Sequence, residues 1–412
     1  MRPTSLTIAF IVALVLNASL STSAQNSAQQ LRSEIAVTNG DLSGSGAVEI
    51  HKATEHACYV FLGEDHGIAE VAQFADALYN ELHRSNHFSA VALEVSPSVA
   101  RQLTSELDSE NPDEEHADFL RQYPITVPFY NTQEEFRFLK NSKARTGPNF
   151  ELIGFDQEFL GAAKFLLHRI GKEHLPSDLR KQLGELEEEE RQASVKAAKS
   201  GNAEDLFLLS ADENRLEQFA DGLRARALDG RAVDDWLASR HVYDMFSKNN
   251  YASNTMRDLL MKHNFVEMHS GRPPCGILFK AGSNHGFRGV SPLFTRELGN
   301  FLAETADVYS TGGVHIMIVG SEGQALDFAG VGKPMRVVPY APSGSGGLSS
   351  LKEFSDVAQR EQSWSLFDLR RLRGTANASD DAEMQRLIYG YDFLVVVPHP
   401  TASHEIGSNS PK

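Results

Sequence analysis

Six short apolar runs punctuate the chain, at 57–62, 89–95, 150–155, 275–281, 314–319 and 393–398, each closed by polar residues or glycine. Runs of this length, continuous rather than alternating, suit strands buried on both faces. Between them the spacing turns helical. Over 68–86, Val71, Phe74, Ala75, Leu78 and Leu82 recur at steps of three and four, and 132–143 is read the same way. Strands alternating with helices predict an α/β fold: an open, mainly parallel sheet with helices on both faces and right-handed crossovers.

The pattern breaks at 161–271. Strand-like runs are almost absent there, and long helical periodicities at 206–228 and 233–246 accompany an acidic stretch at 185–191 that reads as a solvated helix face. This segment is expected to be a helical insertion, a cap over a site, dividing the core into 46–160 and 272–400. Residues 25–45 are polar and rich in Ser, Gly and Asn, and read as a flexible leader. A Gly-, Ser- and Pro-rich break falls at 339–350, and 401–412 reads as a disordered tail.

The first 24 residues are read apart from the fold. Arg2, the apolar run 8–16 and Thr22-Ser23-Ala24 before Gln25 have the layout of a secretory signal peptide. No later run approaches the ~18 apolar residues of a membrane helix. The expectation is an exported protein, periplasmic or secreted, with no membrane insertion once the signal is removed. The net charge of −16 repels nucleic acid and anionic lipid and mildly favours cationic or neutral ligands; the expected partner is a small-molecule substrate, not nucleic acid. Export permits a disulfide between Cys58 and Cys275, the only cysteines, but both fall early in predicted buried strands and are read as two buried apolar thiols.

Candidate chemistry gathers where four runs end. The first leads into Gly63-Glu64-Asp65-His66-Gly67, the second stops at Glu94, the third at Asp156-Gln157, and the fourth runs into Gly282-Ser283-Asn284-His285-Gly286. Ligands of open parallel sheets bind outside the carboxyl ends of the strands, so these positions can share one crevice. Taken singly each has a plainer explanation: a strand-end acid caps a helix, and a lone His is a satisfied core residue. Four coincident ends favour a site. The chain has no Gly-x-Ser-x-Gly elbow, no Gly-x-Gly-x-x-Gly after a strand, no Walker loop and no His-Glu-x-x-His. What remains is His with carboxylates, suited to activating water, or to holding a divalent metal with Glu64, His66 and His285. Between glycines at a strand end, His66 is the expected base. In the second loop, Asn284 and Arg288 are expected to bind substrate beside Gln157.

In this order the segments resemble the erythromycin esterase and ChaN-like superfamily. The resemblance covers most of 57–160 and 252–320, and more weakly Asp368-Leu369-Arg370 and the strand to Val397. Arg257-Asp258-Leu259-Leu260-Met261-Lys262-His263-Asn264 keeps the esterase spacing Arg-Asp-x-x-Met-x-x-Asn. The resemblance implies a metal-independent hydrolase that cleaves an ester or lactone with activated water and needs no cofactor. In it His66 would be the base and Glu64 would orient it. Glu94 and Asp156 would form a polar floor, and Arg257 and His285 would bind or polarise the carbonyl. One residue, not two, separates Glu64 from His66, and Gly282 stands where the esterases usually place a further His. The shorter spacing is closer to the ChaN-like haem-binding lipoproteins and to the metal-dependent Tiki-type proteases. A metal-dependent hydrolase and a haem-binding protein without turnover therefore stand as alternatives.

Overall fold

The computed structural model describes residues 28–269, 274–342, 349–374 and 381–407; the segment read as a signal peptide lies outside them. Twelve strands are described. They are β1 (Arg32–Glu34), β2 (Ala36–Thr38), β3 (Asp41–Ser43), β4 (Ala57–Glu64), β5 (Ala90–Leu93), β6 (Glu151–Gly154), β7 (Ile277–Gly282), β8 (Gly312–Gly320), β9 (Gly323–Asp327), β10 (Arg336–Tyr340), β11 (Ser365–Asp368) and β12 (Phe393–Val397). Eight form the main sheet in the order β1-β11-β12-β8-β4-β7-β5-β6. The six strands from β12 to β6 are parallel, and β11 runs antiparallel to both its neighbours. The expected α/β architecture is present, and the six apolar runs are these six parallel strands.

Topology places the motifs together. β4, β7, β5 and β6 are consecutive neighbours, so the four functional-looking strand ends sit side by side. β7 enters between β4 and β5 after an excursion through residues 161–269, in which only helices are described, the longest being Ser177–Ser200 and Asn250–Met268. Side chains alternate across the sheet. Tyr59, Phe61, Ile277 and Phe279 pack on one face against Met261, Phe265 and Leu302. Val60, Leu62 and Leu278 pack on the other with helices Ala69–Asn86 and Gln133–Thr146.

Three expectations change. Residues 28–45 are not a free leader: β1 extends the sheet beside β11, and β2 and β3 form a hairpin. Residues 401–407 are not a free tail, because Ala402 pairs with Ile68 and Glu405 with Thr132. Polar composition misled in both places: backbone pairing holds each segment, and a few apolar side chains, Leu31 and Ile35 in the first and Ile406 in the second, anchor it on the core. Cys58 and Cys275 are a disulfide, not two thiols. They stand at the starts of adjacent paired strands, where Tyr59 aligns with Ile277, a neighbourhood the linear order does not display. Among the described residues no helix is long and apolar enough to cross a membrane.

Candidate active site

Glu64 closes β4 and His66 follows in the turn two residues on. His66 Nδ1 lies 3.0 Å from Glu64 Oε1, and the imidazole stacks on Phe129 with ring centroids 3.6 Å apart. Phe129 holds that place with a left-handed backbone, φ 63°, unusual for a bulky residue. Gly67, at φ 81°, lets the Leu326 carbonyl approach where a Cβ would stand, so the β9–β10 hairpin is pinned over the His66 turn.

Glu94 follows β5 directly, before Ser96 caps helix Pro97–Leu107 by accepting from Val99 N at 3.1 Å. Its carboxylate is the hub of the site. Oε1 accepts from Arg257 Nη2 at 2.7 Å and lies 3.4 Å from His285 Nε2. Oε2 accepts from Gly282 N at 2.6 Å and lies 3.6 Å from His66 Nε2. Arg257 also grips Asp156 with two hydrogen bonds, of 3.0 and 2.6 Å, a geometry peculiar to guanidinium and carboxylate. The Arg-to-Asn spacing then has a physical reading. Positions i, i+4 and i+7 share one helix face. Arg257 reaches the cleft and Met261 enters the core, while Asn264 Nδ2 donates to the Asp156 carbonyl at 3.1 Å and fixes the end of β6.

His285 sits in the turn after β7, with Nδ1 2.9 Å from Glu297 Oε2, and Glu297 is itself held by Ser291 and Thr295. Burial pushes His285 down, but the Glu94 charge and the Glu297 bond outweigh it and raise its pKa to about 10, making it an imidazolium at neutral pH. His66 is also raised: burial lowers it, while the Glu64 bond and the Glu94 charge prevail. Burial acts to raise Glu94, yet His285, Arg257 and His66 hold its carboxyl well below the usual range.

The structure therefore brings together Glu64, His66, Glu94, Asp156, Arg257 and His285 around one cleft of about 840 Å³, with Gln157 and Asn284 in its lining. Arg288 is not brought there. Its guanidinium holds Asp392 at 3.0 and 2.6 Å and the Gly313 carbonyl at 3.1 Å, so it is a structural residue and not a substrate anchor. Gly282 also finds its reason. A Cβ at that position would stand 3.0 Å from His66 Nε2 and 3.3 Å from Glu94 Oε2, so His66 fills the space a side chain at 282 would need.

Sequence reading missed Glu135, Glu297 and Lys280. Lys280 is fully buried, with Nζ 2.6 Å from Glu64 Oε2 and 2.7 Å from Glu135 Oε1. One signal was available: a lysine inside a run otherwise suited to a doubly buried strand demands a buried anion.

The trio Glu64, His66 and His285 is engaged within the protein as it stands: the two imidazoles lie against different oxygens of Glu94, and Glu64 is held by Lys280. Among the described residues no three His, Cys, Asp or Glu side chains are grouped as a metal ion requires.

In its overall fold, a mainly parallel sheet flanked by helices, the chain is similar to a solved erythromycin esterase. A mutant of the esterase EreC in its open conformation superposes with a TM-score of 0.63 at 18% identity, over 92% of this chain and 99% of that one. A Bacillus cereus protein superposes at 0.60 and 15% identity, and a succinoglycan biosynthesis protein at 0.60 and 16%, each over 94% of this chain and 99% of its own. No family model and no curated protein matches the sequence.

Proposed function

We propose that this chain is an exported hydrolase that cleaves an ester or lactone with water activated by His66. One observation carries the reading: a partly exposed imidazole, 29% accessible at its side chain, is held through Nδ1 by Glu64 while Nε2 faces a cleft furnished with Arg257 and a protonated His285. Unprotonated Nε2 takes a proton from water as the hydroxide oxygen bonds to the ester carbonyl carbon. The carbonyl oxygen becomes an oxyanion facing Arg257 and His285, the two cations of the cleft. Collapse breaks the C–O bond, and His66 returns its proton to the departing alkoxide.

A neighbouring chamber of about 1050 Å³ supports a bulky substrate. It shares His66, Pro128, Phe129, Phe159, Leu326 and Asp327 with the cleft and is mostly apolar elsewhere, so an apolar body there leaves its ester beside His66. Erythromycin, the compound in the esterase neighbour's name, and other macrolactones belong in the first screen. Export is supported by the disulfide, which persists in oxidising compartments, and by the signal-like N-terminus; a mature chain beginning at Gln25 would establish it.

The test is hydrolysis of graded chromogenic esters and macrolactones, with chelator present and absent. Chelator-resistant cleavage lost in His66→Asn is the expected result. A folded protein that cleaves none of them and develops a Soret band on haem titration would replace this reading with ligand binding, and chelator-sensitive cleavage would replace it with a metal-dependent one.

A further inference from the structure

Lys280 is a charged side chain placed where water does not reach. It lies on β7 and projects to the face shared by Leu62 and Leu278, beneath helix Gln133–Thr146. Its ammonium bridges two carboxylates, Glu64 from β4 and Glu135 from that helix, and stands 5.3 Å from the centre of the Tyr130 ring. Glu64 uses its other oxygen on His66 Nδ1. The result is a continuous row, Glu135–Lys280–Glu64–His66, whose first three members are buried and whose last opens on the cleft.

The row has a chemical consequence. An ionised carboxylate only accepts hydrogen bonds, so an ionised Glu64 obliges His66 Nδ1 to carry the hydrogen and leaves the Nε2 lone pair facing the cleft. A protonated Glu64 could instead donate to Nδ1, and the hydrogen would move to Nε2, where it blocks proton abstraction. The choice between the two tautomers is made by whatever keeps Glu64 charged. The groups facing His66 and Glu64 are Glu94 from the end of β5, Lys280 from β7 and Glu135 from the helix; of these only Lys280 is a cation.

We propose that Lys280, anchored by Glu135, is the positioning residue that fixes His66 in the tautomer with its Nε2 lone pair facing the cleft. Burial acts to raise Glu64, yet Lys280 and His66 bring its carboxyl below the usual value. Burial, with the Glu64 charge, instead pushes Glu135 up to about 7. Glu135 therefore shares the bridge while Glu64 keeps its charge. The effect on hydrolysis rests on the function proposed above; the tautomer does not.

The test reads the tautomer directly. Long-range ¹H–¹⁵N correlation of the His66 ring, assigned by its loss in His66→Asn, is recorded above the pH at which the imidazole loses its second proton. Wild-type protein should show a protonated Nδ1 and an unprotonated Nε2. The paired variant Lys280→Met/Glu135→Leu removes the cation and its anchor together, a replacement that buried ion pairs commonly tolerate. In it the hydrogen should move to Nε2, the pH profile should change, and ester hydrolysis should fall ~10–100-fold, the usual effect of removing such a supporting group. A wild-type His66 protonated at Nε2 overturns the proposal without recourse to any variant, as does a folded paired variant with unchanged tautomer and pH profile. A tautomer that shifts as expected in a protein that cleaves no ester sustains the role of Lys280 and removes the hydrolase reading instead.

Discussion

Two clusters of the same residue types occupy opposite ends of the sheet, and only one has the makings of a site. At the carboxyl ends, His66, His285 and Arg257 surround a cleft with Glu64, Glu94 and Asp156. At the entry to β8 and β12, His315, Arg288, Arg373 and Asp392 form an equally polar group with Tyr59. There Asp392 accepts from both arginines and from the His315 backbone N–H at 2.9 Å, while the His315 ring is held between the Gly286 carbonyl at 2.6 Å and Tyr59 OH at 2.9 Å. His315 is fully buried and both its ring nitrogens are engaged; nothing is left to meet a ligand. The lesson is that residue type does not define a site. The same imidazole and guanidinium become a lock where every hydrogen bond closes within the protein, and a candidate catalyst where one face is left to solvent.

The sharpest way to test this contrast is to remove one histidine from each end. His66→Asn should lower kcat ~10²–10⁴-fold with the fold intact, the usual effect of losing a general base. His315→Gln should leave kcat within a few-fold and register in thermal unfolding instead. A folded His66→Asn enzyme with wild-type kcat would end the contrast as drawn.

Next in size is Asp392→Ala, which strips the lock of its carboxylate and leaves two arginines facing each other. Breaking a fully buried pair this way costs roughly 3–5 kcal/mol; with both arginines partly exposed the loss should fall below that range and be measurable by urea unfolding. Arg257→Lys at the other end should cost less stability but should lower hydrolysis, because an ammonium cannot grip Asp156 with two parallel bonds.

Reduction of Cys58–Cys275 is the intermediate case. The bridge closes a sequence separation of 217 residues and ties β4 to β7 at the ends remote from the cleft. Reduction should cost about 2–4 kcal/mol, seen as a lower Tm under reducing conditions, with kcat at permissive temperature unchanged.

The two ends should also answer pH with opposite sign. His285, raised from 6.5 to about 10, contributes stability that is complete below pH 6.5 and lost as pH rises toward 10. His315, lowered from 6.5 to about 3 chiefly by burial, contributes stability present above pH 6.5 and lost as pH falls toward 3. Urea midpoints across pH should therefore fall on both sides of neutrality, and His315→Gln should flatten only the acid side. Activity should set in above pH 6.5, because the base must be unprotonated and the surrounding carboxylates raise His66.

The strand ends at Glu64, Glu94, Asp156 and His285 were legible because a doubly buried strand is a continuous apolar run and its termination is a chemical event in the sequence. Arg257 was legible only through its spacing to Met261 and Asn264, a pattern carried by the family resemblance. Arg288 was misread because a loop beside a functional turn offers two directions, and sequence does not say which end of the sheet a guanidinium will meet. Lys280 escaped because its partner Glu135 lies 145 positions away on another element.

By itself, then, the sequence determined the six parallel strands of the main sheet, that they would be buried on both faces, and that the ends of four of them carry imidazole and carboxylate. These are local facts, set by side-chain periodicity and by where apolar runs stop. The tertiary structure alone decided strand order. By inserting β7 between β4 and β5 it placed Gly282 against Glu64 in register, joined Cys58 to Cys275, lowered Lys280 between two acids and closed Arg288 onto Asp392. Such decisions are invisible in the sequence for a physical reason: a buried charge is stabilised by whatever stands within a few ångströms of it, and in a parallel sheet that neighbour is chosen by the crossover, not by the order of the chain.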